Sequence, residues 1–311
     1  MALDVRRLRV LRELAARGTI AATAEALSYT PSAVSQQLST LEREAGVELL
    51  ERHGRGVRLT DAGRLLARHA DGVLARLEAA EAELEAAGRT VMGTLRVASF
   101  NTAARWIVPH AVAGLLASHP HVEAHVVDDD PHATIPALRL GEFDVVLGHD
   151  FPFEAPLRDP GFYRVDLFDD ELHLAFGPSR QGLPADFAAL EGVPWVAGHP
   201  GTSCHGVVVH ACHAAGHEPR IVACSNDYGV ILELVSRDLG VSLAPRIAHR
   251  LAPPGVRLER LDPPLHRRIH ALCRAGAERR PIVAAFLDQL RAAVAREVEG
   301  DGRLLAARPV A

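Results

Sequence analysis

Between Cys204 and His217 the chain reads CHGVVVHACHAAGH, a stretch crowded with imidazoles and thiols. Those are the ligands of zinc, so metal coordination is the first chemistry to weigh. Helical spacing pulls the candidates apart. Cys204, Val208 and Cys212 fall on one apolar stripe, where cysteine serves as a small buried hydrophobe. His210, His213 and His217 fall at i, i+3 and i+7 on another face, but His217 follows Gly216 and leaves the helix. No Cys-x-x-Cys pairing accompanies them. Surface histidines are therefore expected, with no metal and no cofactor. A thiol redox switch would need an exposed thiolate in a basic setting. Other residues suit binding of a small molecule. Ser99, Asn101 and Thr102 follow a strand and precede a helix, and so do Thr202 and Ser203. Asn226 lies at a further strand end, and His149 follows VVLG. Small polar groups at a helix N-terminus suit a carboxylate or other anion, although ordinary capping uses the same residue types. Asp128 to Asp130 could be a catalytic carboxylate pair and reads more simply as a solvated turn.

A different chemistry is offered by TPSAVSQQLSTLE, residues 30 to 42, which carries no charge before Glu42. Thr30 is a good N-cap and Pro31 occupies the first helical position. Val34, Leu38 and Leu41 form an i, i+4, i+7 stripe that faces a core. The outward residues are then Ser32, Ser35, Gln36, Ser39 and Arg43. Short neutral side chains let a helix backbone approach a major groove closely, and glutamine can bond an adenine edge with two hydrogen bonds. Thr30 and Ser32 sit where free N–H groups and the helix dipole favour a phosphate. Arg52, Arg55 and Arg58 follow in LLERHGRGVRLT, which reads as a hairpin turning at residues 54–56 and suits phosphate or minor-groove contact.

These residues need elements to hold them. Residues 4–17 and 20–27 read as helices, so the polar helix completes a helix-turn-helix pattern followed by a wing. Thr60-Asp61 caps a long helix to about Ala87. Leu66, Ala70, Val73, Leu77, Ala80, Leu84 and Ala87 are spaced 4, 3, 4, 3, 4, 3, a heptad seam that calls for a partner helix. From Thr94 strands alternate with helices, which predicts a mostly parallel sheet covered on both faces. Helix 103–117 is expected as one piece, and residues 163–176 as two short strands. The Pro/Gly-rich stretch 150–162 suggests two sub-domains. The expected division is a DNA-binding domain 1–60, a linker helix 61–90 and a ligand-binding domain 91–298. Sub-domain I takes about 91–165 and 266–298, sub-domain II about 166–265, and 299–311 is a flexible tail.

Composition excludes more than it selects. The chain has 311 residues and a net charge of -5, and all 34 basic residues are arginine. No Walker A or Schiff-base lysine can exist, and neither HExxH nor GxSxG occurs. Residues 1–60 hold nine arginines against seven acids, +2, leaving -7 for the rest. That thin excess disfavours a nucleoid-type architectural protein. The absence of any nucleophile–base pairing or cofactor fingerprint disfavours an enzyme with an accessory DNA-binding module. Charged residues break every apolar run near the N-terminus, so no signal peptide or membrane span is expected. The cysteines at 204, 212, 224 and 273 are expected as free thiols in the cytoplasm.

Residues 3–65 closely resemble the DNA-binding end of LysR-type transcriptional regulators. The resemblance rests on Ala-Glu-x-Leu before the turn, Ser35-Gln36-Gln37-Leu38 with Leu41-Glu42, Gly46-Val47-x-Leu49, and Leu59-Thr60-Asp61-Ala62-Gly63. One departure is Thr30, where the family often has Gln before its proline. Farther on, "GEFDVVLG" and "RDLGVSLAP" follow in the family's order, so nearly the whole chain is covered. The resemblance implies a winged helix-turn-helix, a dimerising linker helix, and an α/β effector domain of two sub-domains like a periplasmic binding protein. It also implies a homodimer or homotetramer that binds double-stranded promoter DNA and answers to a small-molecule effector.

Overall fold

A computed structural model describes residues 3–27, 29–53, 56–88, 90–154 and 159–300. The first helix, α1 (Val5–Arg17), starts on Asp4, whose carboxylate accepts from the Arg6 N–H at 2.7 Å. Next come α2 (Ile20–Ala26), capped by Thr19, and α3 (Pro31–Ala45), capped by Thr30. Gly18 and Gly46 end α1 and α3 with φ of +74° and +69°, which glycine adopts without a Cβ penalty. Leu11, Val34, Leu38, Leu41 and Leu49 form the buried centre of this bundle. The hairpin pairs β1 (Leu50–His53) with β2 (Gly56–Leu59), antiparallel.

The long helix α4 (Asp61–Ala86) has 26 residues, a length of about 39 Å. Its start is pressed against the wing: a Cβ on Gly63 would lie 2.2 Å from the Leu49 carbonyl oxygen. The heptad seam divides. Leu66 and Ala70 pack into the DNA-binding core of their own chain. Val73, Leu77 and Leu84 stay 45, 40 and 77 % exposed. A second stripe, Leu74, Ala79 and Ala82, is buried instead. It meets the turn at Gly276, where a Cβ would come within 2.3 Å of the Ala75 carbonyl oxygen.

Lobe I begins with β3 (Gly93–Ser99), α5 (Asn101–Trp106) and α6 (Val108–Ser118), then β4 (Val122–Asp128), α7 (Pro131–Leu140) and β5 (Val145–Asp150). The expected single helix 103–117 is broken at Ile107, because Pro109 has no N–H to continue the ladder. Strand β6 (Phe162–Phe176) leads into lobe II, built from β7 (Pro194–Ala197), α8 (Ser203–Ala214), β8 (Arg220–Cys224), α9 (Tyr228–Ser236) and β9 (Ser242–Pro245). Strand β10 (Arg257–Arg274) returns to lobe I, and α10 (Pro281–Gly300) packs there through Ile282, Phe286 and Leu290. The expected tail falls on 299–311, of which 301–311 lie outside the described residues.

The six-stranded sheet has the order β4-β3-β5-β10-β6-β9. β3 runs parallel to β4 and β5, whereas β10 runs antiparallel to both β5 and β6. β7 and β8 pair in parallel and join β9 through a bridge between Trp195 and Val241. The mostly parallel expectation is thus corrected to a mixed sheet. The two short strands expected in 163–176 are one strand that crosses between the lobes. Its charged middle reads as a break, yet each charge has a partner: Asp169 faces Arg268 and Asp170 faces Arg267 across the ladder. Opposite charges placed directly across a strand pair let the strand continue.

Candidate functional site

The polar helix presents the face that its apolar stripe dictates. Val34, Leu38 and Leu41 are buried, while Ser32, Gln36, Ser39 and Arg43 are exposed and Ser35 is half-buried. Thr30 Oγ1 accepts from the Ala33 N–H at 3.2 Å and lies 2.9 Å from Ser32 Oγ. Ser35 turns back onto the Pro31 carbonyl at 2.9 Å, and Arg43 donates to Thr40 Oγ1 at 2.8 Å. Gln36 has no hydrogen-bond partner among the described residues, so its amide is free to offer a donor and an acceptor together. On the hairpin, Arg52 is exposed, Arg58 pairs with Glu51 at 3.0 Å, and Arg55 lies outside the described residues. Glu42 fixes the hairpin on the helix, its Oε1 accepting the N–H groups of Leu49 (2.9 Å) and Leu50 (3.0 Å).

A cavity of about 310 Å³ opens between the lobes. Its floor is Arg267, 1 % exposed. Arg267 donates from Nε (3.0 Å) and Nη2 (2.8 Å) to Asp170 Oδ2, and from Nη2 to Thr102 Oγ1 at 2.8 Å. Burial opposes the charge of Arg267, but its neighbours together, Asp170 foremost, more than offset this and keep the guanidinium protonated. One wall holds His149 between the rings of Phe100 and Phe151, at centroid distances of 4.8 and 5.5 Å. Burial, with Arg267 adding to it, pushes the His149 pKa well below the usual histidine range. Its imidazole is neutral, and its Nδ1 has no partner. Opposite stand Tyr228 and Cys204, with the hydroxyl 3.7 Å from the sulfur and the sulfur 3.9 Å from His149 Nε2. Burial raises both acids, so thiol and phenol stay protonated. The mouth carries Asp128, Asp129 and Asp130 from lobe I, with Asn226 and Asp227 from lobe II.

Asn101, Thr102, His149 and Asn226 all line this cavity. Ser99, Thr202 and Ser203 are not among the residues that line it. Ser99 is wholly buried and bonds the Phe100 carbonyl, and Thr202 caps α8 through the His205 N–H. The helix that Asn101 opens has only six residues. Sequence reasoning missed Phe100, Asp227, Tyr228 and above all Arg267. It placed Cys204 on a buried stripe and Asp128 to Asp130 in a solvated turn, whereas all of these border the cavity. The matching runs DDE (169–171) and HRR (266–268), which would pair in antiparallel strands, were the available signal for Arg267. The three candidate histidines go separate ways: His210 of α8 stacks on Phe153, His213 of α8 pairs with Glu218, and His217, beyond the helix, bonds the Phe187 carbonyl.

Comparison with known proteins agrees with this architecture. The model described as a bacterial regulatory helix-turn-helix protein of the lysR family matches residues 5–64. The model described as a LysR substrate binding domain matches residues 88–295. The chain is 30 % identical to the probable HTH-type transcriptional regulator LrrA of Synechococcus elongatus, over 96 % of this chain and 100 % of that one. It is 27 % identical to the transcriptional regulator MetR of Salmonella typhimurium, over 93 and 90 % of the two chains. Among solved structures, a cysteine mutant of Corynebacterium glutamicum OxyR superposes with a TM-score of 0.58 at 26 % identity, covering 100 and 98 %.

Proposed function

Because the chain belongs to the LysR family of transcriptional regulators, we propose that α3 reads promoter bases while the interlobe cavity receives the effector. The protein is a DNA-binding regulator under effector control and not an enzyme. The observation that carries the residue assignment is the exposed, uncharged row on α3, ending in Arg43. Gln36 is assigned to a base edge, with Ser32, Ser35 and Ser39 approaching bases or phosphates. Thr30 stands with them at the helix N-terminus. Arg52 meets the phosphate backbone, with Arg55 and Arg58 assigned alongside it.

We take residues 1–60 as the DNA-binding domain, 61–90 as the linker and 91–298 as the effector domain. The lobe boundaries near 165 and 266 are supported by β6 and β10, which cross there. LysR regulators act as oligomers, and the exposed Val73, Leu77 and Leu84 on α4 are assigned to contact a second copy. Among the described residues no helix is long and apolar enough to cross a membrane. We propose a cytoplasmic location, which a promoter-binding role supports.

The test is a gel shift on the DNA upstream of the gene itself. Saturable binding is expected, poorly competed by random DNA, with affinity falling by a log–log salt slope of about -0.9 per neutralised phosphate. Gln36→Ala should relax base preference by about 1–3 kcal/mol. Equal affinity for random DNA, or unchanged preference in the variant, refutes the assignment.

A further inference from the structure

Resting on the reading of the interlobe cavity as the effector site, we propose that this effector is a small organic cation. It would be an ammonium or guanidinium compound small enough for a cavity of about 310 Å³.

Among the described residues the only guanidinium on the cavity wall, Arg267, is neutralised by Asp170 behind it. The His149 imidazole beside it is neutral. Asp128, Asp129 and Asp227 border the same cavity and make no ion pair among the described residues, while Asp130 pairs with His132 at 3.1 Å. The cavity mouth therefore presents carboxylates that are held by hydrogen bonds but pair with no cation among the described residues, and the low-dielectric walls focus that field. A dicarboxylate would meet like charge at the mouth.

The cavity's free hydrogen-bonding groups favour a donor, independently of net charge. Asn101 spends its amide nitrogen on Asp128 at 3.3 Å, which leaves its Oδ1 buried and without a partner. His149 is 7 % exposed, and its Nδ1 is also unpartnered. Buried polar atoms are ordinarily satisfied, so these two are available to a group that enters the cavity. Asn101 Oδ1 and the aspartates can only accept. An ammonium has three donors and no acceptor, and a guanidinium has five donors. At the inner end, Arg267 Nη1 makes no hydrogen bond among the described residues and can meet a neutral acceptor on the ligand's far side.

The experiment measures binding to the full chain by calorimetry. The amines are putrescine, agmatine, histamine and benzylamine, and the anions are succinate, adipate and benzoate. At least one amine should bind saturably, weaken at higher salt, and lose about tenfold or more in affinity in the Asp128→Asn, Asp129→Asn double variant. Thermal melting of that variant checks that it folds, and both side chains are exposed at the rim. Asn101→Ala, a second variant, should weaken the same amine. The proposal is overturned if no amine binds, if amine affinity is unchanged in both variants, or if an anion binds more tightly. An anion that binds and weakens on Tyr228→Phe and His149→Asn defeats only the charge class. A probe that binds regardless of every cavity substitution defeats the cavity reading as well.

Discussion

Glu42 ends the uncharged run that opens at Thr30, and it is not a solvated charge. Its Oε1 holds the N–H groups of Leu49 and Leu50, joining the end of α3 to the start of the wing. This carboxylate therefore helps to set the angle between α3 and the wing. Glu42→Ala should leave the Leu49 N–H unsatisfied at a site 1 % exposed, a cost of about 1–3 kcal/mol. The expected readout is a lower midpoint in chemical denaturation, together with weaker promoter binding. An unchanged midpoint would show that the carboxylate holds nothing. Gly63 acts at the same junction by its lack of a side chain. With the Leu49 oxygen 2.2 Å from where a Cβ would stand, Gly63→Ala should lower stability by about 1–3 kcal/mol through forced displacement of the wing. A melting temperature equal to wild type would contradict this.

At the scale of the element, α4 serves two masters on different faces. Its inner stripe of Leu74, Ala79 and Ala82 packs against its own chain, and small residues allow the close approach at Gly276. Its outer stripe of Val73, Leu77 and Leu84 stays apolar and exposed. A run of large apolar side chains on one exposed helix face marks a contact surface. Leu77→Asp should convert the oligomer to smaller species in analytical ultracentrifugation, because a carboxylate in an apolar seam is left unpaired. The folded content by circular dichroism should be retained, since Leu77 touches no core. Unaltered sedimentation would place the interface elsewhere.

Across the whole molecule, lobe I is clamped to α4 by ion pairs and meets the DNA-binding end through a hydrogen bond. Arg274 meets Glu78 at 2.9 Å, and Arg280 bridges Glu85 (3.0 Å) and Asp144 (2.9 Å). Arg12 of α1 reaches the Arg139 carbonyl at 3.1 Å, and Arg139 pairs with Asp159. Asp71 is the discordant member. Its Oδ1 is buried without a partner, and burial, then Asp159, raises its pKa above the usual carboxylate value. A raised carboxyl lends stability in full below its unfolded pKa and loses it as pH rises through the folded value. At neutral pH the ionised Asp71 therefore opposes the clamp. Asp71→Asn should melt higher than wild type at pH 7, with the difference shrinking toward pH 4. A constant difference across that range would remove Asp71 as the cause.

The local elements were legible in the sequence because their causes are local. Caps such as Thr30, glycines such as Gly18 and Gly46, and the Val34-Leu38-Leu41 stripe place α3 and fix which residues it exposes. The order of strands and helices after Thr94 was legible for the same reason. What only the tertiary structure decided is what depends on residues far apart in the chain. Arg267 and Asp170 read separately as two charges that ought to be solvated. They become a cavity floor only because β6 and β10 run antiparallel through both lobes and set them opposite each other. Likewise Asp128 reads as a turn until β4 ends beside the cavity, and the heptad seam reads as one surface until α4 turns part of it inward. Periodicity shows that a face is apolar or polar. Only the packing of distant segments shows what that face meets.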